Sequence, residues 1–234
     1  MSTKERPKLT PPIEKKITQD WAREFPGMGI YKKRWLMRRA GPLLIGICLD
    51  RDSHGDLYKP VFHVFFLARN WNGKNPALTL YTELRTVRTN APDDVEVRWH
   101  EKKYLDAVER MKRQSLLPLE GPVVLDQVLQ AYREHHRRMP LGCASLTANV
   151  VLMSDVIMLL AWCGRREEAE QALEEVLATV TDESEYRHPY GSRQAFETAM
   201  REAIEHPETL REQVERQITR LGVEQLPVSE LLCE

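Results

Sequence analysis

DRDSHGD (50–56) spaces Asp50, Asp52, His54, Gly55 and Asp56 like the opening half of a calcium loop, in which alternate oxygens and a glycine wrap a hard cation. The closing bidentate acid is missing: Val61 holds the twelfth position, and the flanks read strand–turn–strand. Polar turn residues are therefore the expected role of this stretch. The seven histidines include no HExxH pair and no Cys/His ligand spacing. His135 and His136 are adjacent, so a helix turns them about 100° apart, a poor arrangement for sharing one metal. His63 lies in VFHVFF, where strand alternation groups it with Val61, Phe65 and Leu67. Such an imidazole serves either as a tuned base in the pocket of a small hydrolase or transferase, or as a core residue. GxSxG, P-loop and GxGxxG patterns are all absent. No catalytic set, no cofactor fingerprint and no metal site emerges, and a non-catalytic role is the expectation.

YKKRWLMRR (31–39) packs five cations and two aromatics into nine residues, the mix that contacts phosphates and stacks bases. On a single strand Lys32, Arg34 and Arg38 share one face, the candidate nucleic-acid surface, while Trp35 and Met37 turn to the core. Charges protecting a sheet edge explain the stretch equally well. The sequence pI near 6.7 speaks against nucleic acid.

The elements that must carry these residues follow from periodicity. IEKKITQDWAREF (13–25) places Ile13, Ile17, Trp21 and Phe25 at steps of four, a short amphipathic helix closed by Pro26-Gly27. IYKKRWLM, LLIGICLD, YKPVFHVFFLAR and ALTLYTELRTVR are rich in β-branched and aromatic residues, with turn signals at 39–42, 53–56 and 72–76. Connections this short predict antiparallel neighbours in a meander, with VEVRW (95–99) as an added edge strand. From His100 onward the period is helical, through EKKYLDAVERMKRQ, VVLDQVLQAYREHHRR, a buried helix over 144–163 that follows a turn at Pro140-Leu141-Gly142, a helix from Gly164 to Val180, SRQAFETAMREAIE and PETLREQVERQITRL. The expected fold is α+β: an N-terminal helix, an antiparallel β-meander of four to five strands, and a helical C-terminal half. A flexible tail over 1–12 precedes one domain, sheet-rich over 13–99 and helical over 100–234.

Cys143 to Cys163 is apolar and long enough to span a bilayer, but Asp155 near its middle costs about 2.5–3.5 kcal/mol on insertion scales. A buried helix is expected instead, with Asp155 paired to an arginine or a backbone donor. Cys48, Cys143, Cys163 and Cys233 form no CxxC pair, and Cys48 and Cys163 read as small buried hydrophobes. With no secretory h-region after the opening residues, a cytoplasmic, reducing location fits best. Residues 1–59 carry 13 Lys+Arg against 7 Asp+Glu, whereas residues 164–234 carry 8 against 17.

LLAWCGRREEAEQALEEVLA (159–178) resembles a tetratricopeptide repeat: Gly164, Ala169, Leu173 and Leu177 match that family's turn glycine and second helix. The resemblance covers about 30 residues. Met153, Ile157 and Val176 depart from the pattern, and no second copy recurs, whereas such arrays need three or more units to form a binding groove. A structural hairpin is expected, exposing Glu167, Glu168, Glu170, Glu174 and Glu175. The function expected from these features is a non-catalytic protein-interaction module, with Glu167, Glu170 and Glu174 meeting a basic partner. Its general shape and charge are similar to those of small bacterial immunity proteins that neutralise toxins. A homodimer through a sheet edge or the last helix is compatible with the same pattern, and no membrane partner is expected.

Overall fold

The computed structural model describes residues 7–77, 79–138 and 146–234, so Cys143 and the expected turn at Pro140-Leu141-Gly142 lie outside the described residues. The chain divides into two compact units. The first comprises Met1–Phe65, Tyr81–Pro122 and Val223–Glu230; the second comprises Phe66–Leu80, Val123–Gly222 and Leu231–Glu234.

In the first unit, α1 (Pro11–Glu24) starts on prolines, whose fixed φ suits a first helical turn. Ile17 and Trp21 are buried along it, as is its capping residue Phe25, while Ile13 is half-buried. The helix begins inside the expected tail, and just ahead of it Leu9 is buried, its N–H donating to the Gly55 carbonyl at 2.6 Å. Strands β1 (Gly29–Lys32), β2 (Trp35–Ala40), β3 (Leu43–Arg51), β4 (Leu57–Phe66) and β5 (Leu80–Glu83) follow one another in meander order. The β2–β3 pair closes through Gly41-Pro42, where Gly41 at φ +54° supplies the positive φ that a tight hairpin needs. Leu43 to Leu49 of β3 and Val61 to Phe66 of β4 are buried without alternation, as continuous apolar runs require when both sheet faces are covered.

Two elements differ from expectation. The 31–39 stretch is not one strand: Lys33-Arg34 turn the chain between β1 and β2, and Arg34 sits at φ +69°. Its backbone N–H donates to Thr18 Oγ1 on α1 at 3.2 Å, a tertiary contact that strand periodicity does not register. VEVRW supplies only a two-residue strand, β6 (Val95–Glu96), antiparallel to β4, before a 3₁₀ turn runs into α2 (His100–Gln114). Near the C-terminus β8 (Val228–Ser229) pairs in parallel with β2.

The second unit is helical. β7 (Val123–Val124) leads directly into α3 (Leu125–Arg138), followed by α4 (Leu146–Trp162), α5 (Arg166–Thr179), α6 (Ser184–Tyr190), α7 (Arg193–Glu205) and α8 (Pro207–Leu221). α4 is the central helix, packed against α3, α5, α6, α7 and α8. It ends at Gly164, φ +75°, in a Schellman closure: Arg165 N–H reaches the Leu160 carbonyl and Gly164 N–H that of Ala161, at 2.9 and 3.0 Å. The C-terminal β9 (Leu231–Leu232) pairs in parallel with β7, and Cys233 is disulfide-bonded to Cys163. Among the described residues no helix is long and apolar enough to cross a membrane.

Candidate functional site

The 50–56 stretch is a self-satisfied turn. Asp52 accepts backbone N–H bonds from His54, Gly55 and Leu57 at 3.0, 2.7 and 3.2 Å, which leaves it poorly placed to ligate a cation. Desolvation would raise its carboxyl, but these three bonds outweigh it and hold it below the usual range.

The basic stretch is dispersed. Lys32 is exposed at the end of β1. Arg34 lies in the turn and donates to the Leu49 carbonyl at 3.2 Å, beside Glu14 at 3.6 Å. Arg38 is buried at 2% exposure and donates to the carbonyls of Gly121 and Pro118, both at 2.5 Å, and to Ser229 Oγ at 2.8 Å. Its guanidinium braces three backbone segments and presents nothing to a phosphate.

His63 is fully buried, and neither ring nitrogen has a hydrogen-bond partner. Its ring meets Trp35 edge-on at 5.0 Å, and it fills the space left by Gly46, where a Cβ would lie 2.9 Å from Nε2. Desolvation alone pushes the imidazole down to about 3, which keeps it neutral. It is a core histidine without the polar bond that such residues ordinarily make.

A second histidine, unremarked by motif reasoning, stands in a complete polar chain. Trp21 Nε1–H donates to the Tyr58 hydroxyl at 3.2 Å; that oxygen is 2.8 Å from His100 Nδ1, and His100 Nε2 is 3.1 Å from Asp20 Oδ2. Lys16 and Arg23 complete the carboxylate at 2.6 and 2.7 Å. A neutral imidazole protonated at Nε2 satisfies every group: it donates to Asp20 and accepts from Tyr58. Desolvation lowers His100 despite Asp20, and the Lys16 and His100 bonds hold Asp20 low against its own desolvation. Asp20, His100 and Glu101 offer ligand atoms within 4.8 Å of one another. The Lys16 ammonium, 2.6 Å from Asp20 and 2.5 Å from Glu101, already supplies the positive charge there. Eighty residues separate Asp20 from His100, so no spacing rule could pair them.

In the second unit Asp155 is fully buried and doubly held by Arg69, with Nε at 3.1 Å from Oδ1 and Nη2 on Oδ2, while Tyr132 donates to it at 2.9 Å. This is the expected arginine partner. The disulfide departs from expectation: Cys163 is half-buried and bonded, not a small core hydrophobe, whereas Cys48 is buried and its thiol is pushed up to about 12.

Three helices of this unit frame a groove of about 590 Å³. Leu129 and Tyr132 of α3, Leu152, Met153, Val156 and Leu160 of α4, and Ala172 and Val176 of α5 make an apolar floor. Glu168, Gln171, Glu175 and Thr179 of α5 form one rim, and Arg133 of α3 stands on the other. The acids at the groove are therefore Glu168 and Glu175. Glu167, Glu170 and Glu174 lie on the opposite flank of α5; Glu170 is paired with Arg166 and Glu174 with Arg201 of α7, each at 2.8 Å. Heptad arithmetic around α5 could have separated the two sets of acids, but the groove itself depends on α3, which local spacing does not locate. No family model matches the chain, and the searches of curated proteins and of solved structures likewise gave no match.

Proposed function

We propose that the protein is a non-catalytic interaction module that docks an amphipathic helix of a basic protein partner in the α3–α4–α5 groove. The observation that carries this reading is the pairing of an apolar floor with a rim that bears Glu168, itself paired with Arg165 at 2.6 Å, and Glu175. At about 590 Å³ the groove lies within the roughly 300–1,000 Å³ of ligand sites. Its polar groups stand on the rims and do not converge on one point, which suits helix-in-groove recognition through apolar anchors at i, i+3 or i+4, and i+7. α5 carries five glutamates, of which Glu168, Glu170 and Glu174 are paired with Arg165, Arg166 and Arg201; the remaining excess of two acids is a modest negative field that favours cationic partners. The docked helix sets basic residues along α5 and an acidic residue against Arg133. Toxin neutralisation in the manner of small bacterial immunity proteins is one role that fits such a partner. We place the protein in the cytoplasm on the strength of its sequence, against which stands the Cys163–Cys233 bond, of a kind more common in oxidising compartments.

A fluorescent 14-residue Leu/Lys amphipathic peptide is the probe. Glu168→Lys with Glu175→Lys should weaken its binding and flatten the salt dependence, and Val156→Asp in the floor should abolish it. Equal affinity across these variants would refute the groove, and concentration-dependent self-association by sedimentation would assign it to a second copy of the chain.

A further inference from the structure

We propose that the Cys163–Cys233 disulfide is a reversible redox clasp that sets the shape of the groove, a regulation that rests on the groove being the docking site. Cys163 is the residue after the last turn of α4, the helix that forms half of the groove floor. Cys233 follows β9, whose Leu231 and Leu232 pair with Val123 and Val124 of β7. β7 runs without a break into α3, the opposite wall. The bond therefore ties the C-terminal end of α4, through β9, to the N-terminal start of α3. A second tie spans the same gap: Arg165, just past the α4 terminus, binds Asp126 in the first turn of α3 at 2.5 Å. That pair is exposed and weak on its own, and β9 is two residues long, so the covalent link dominates the attachment.

Both bonded cysteines are half-buried, within reach of a small thiol, whereas buried Cys48 with its raised pKa is poorly placed for exchange. The reductant is a monothiol of the glutathione class. Its thiolate attacks one sulfur of the pair, forming a mixed disulfide and expelling the other cysteine as thiolate. A second thiolate attacks the small-molecule sulfur of that mixed disulfide and expels the remaining cysteine as thiolate, so two electrons and two protons pass to Cys163 and Cys233 and one external disulfide is released. With the bond open, the β7–β9 pairing is two residue pairs long, and the start of α3 loses its covalent tether. The oxidised form is the binding form.

The test uses the full chain, oxidised or equilibrated with excess reduced glutathione. Hydrogen exchange followed by mass spectrometry should rise on reduction over 123–132 and 228–234 and stay unchanged over α7 and α8. Affinity for the Leu/Lys peptide should fall at least about five-fold, the lower end of ordinary coupling between sites. Cys233→Ser should bind as weakly as the reduced chain in both conditions. Identical exchange over 123–132 in the two states, or full alkylation of both cysteines without reductant, would overturn the clasp. Failure of the peptide to bind either form counts against the docking reading alone, and the exchange rates then decide the clasp separately.

Discussion

Arg69 grips both carboxylate oxygens of Asp155, a side chain with no solvent exposure, and Tyr132 donates a third bond. Removing one partner leaves a charge buried without compensation. Asp155→Leu or Arg69→Met alone should each lower the unfolding free energy by about 3–5 kcal/mol, read from urea midpoints. The double variant should recover most of that loss, because an apolar pair needs no desolvated charge. A double variant as unstable as the sum of the singles would contradict the ion-pair account.

Acid should destabilise the protein before its carboxylates titrate. His63, pushed from 6.5 to about 3, and His100, also lowered, are neutral when folded and bind protons more readily when unfolded. Their contribution is complete above pH 6.5 and is lost as the pH falls towards 3, with His63 alone worth on the order of 4 kcal/mol across that window. Urea midpoints at pH 7.5, 6 and 5 should therefore decline, and His63→Leu should remove much of the slope. An unchanged slope in that variant would mean that the core imidazole is not the source.

Gly46 is constrained by its neighbours and not by its φ. A Cβ there would sit 2.5 Å from the Leu36 carbonyl oxygen and 2.9 Å from His63 Nε2 and Met37 Cγ. Gly46→Ala should cost roughly 2 kcal/mol, a fall of about 4–8 °C in Tm. Gly164 has open space but φ +75°, so Gly164→Ala should cost about 1–2 kcal/mol through backbone strain alone. Calorimetry on both variants would separate crowding from conformation.

The disulfide closes a loop of 70 residues. Chain entropy predicts that reducing it lowers stability by about 4 kcal/mol, and Cys233→Ser should reproduce the loss with no further effect of reductant. Guanidinium midpoints insensitive to reductant would show that the link is not formed in solution.

The order of these elements was legible in the sequence because their signals are local. Steps of four gave Ile17, Trp21 and Phe25 of α1, continuous apolar runs gave β3 and β4, and Gly164 gave the break between α4 and α5. The Lys33-Arg34 turn was illegible because Thr18, sixteen residues away, helps to hold it. Arg38 looked like a surface cation because its three oxygen partners lie at least 80 residues distant. The Asp20–His100–Tyr58 chain, the Cys163–Cys233 bond and the groove wall from α3 are likewise products of tertiary placement. Charge composition singles out the acids of α5, but the flank of the helix that borders the groove is set by its packing on α4.

The groove is tested most directly by methyl NMR on the oxidised full chain labelled at Leu, Val and Met, titrated with unlabelled Leu/Lys peptide. Saturable shifts centred on Leu129, Leu152, Met153, Val156 and Val176, with the α8 methyls unmoved, are the result the docking account requires. Shifts centred elsewhere, or none at millimolar peptide, would contradict it.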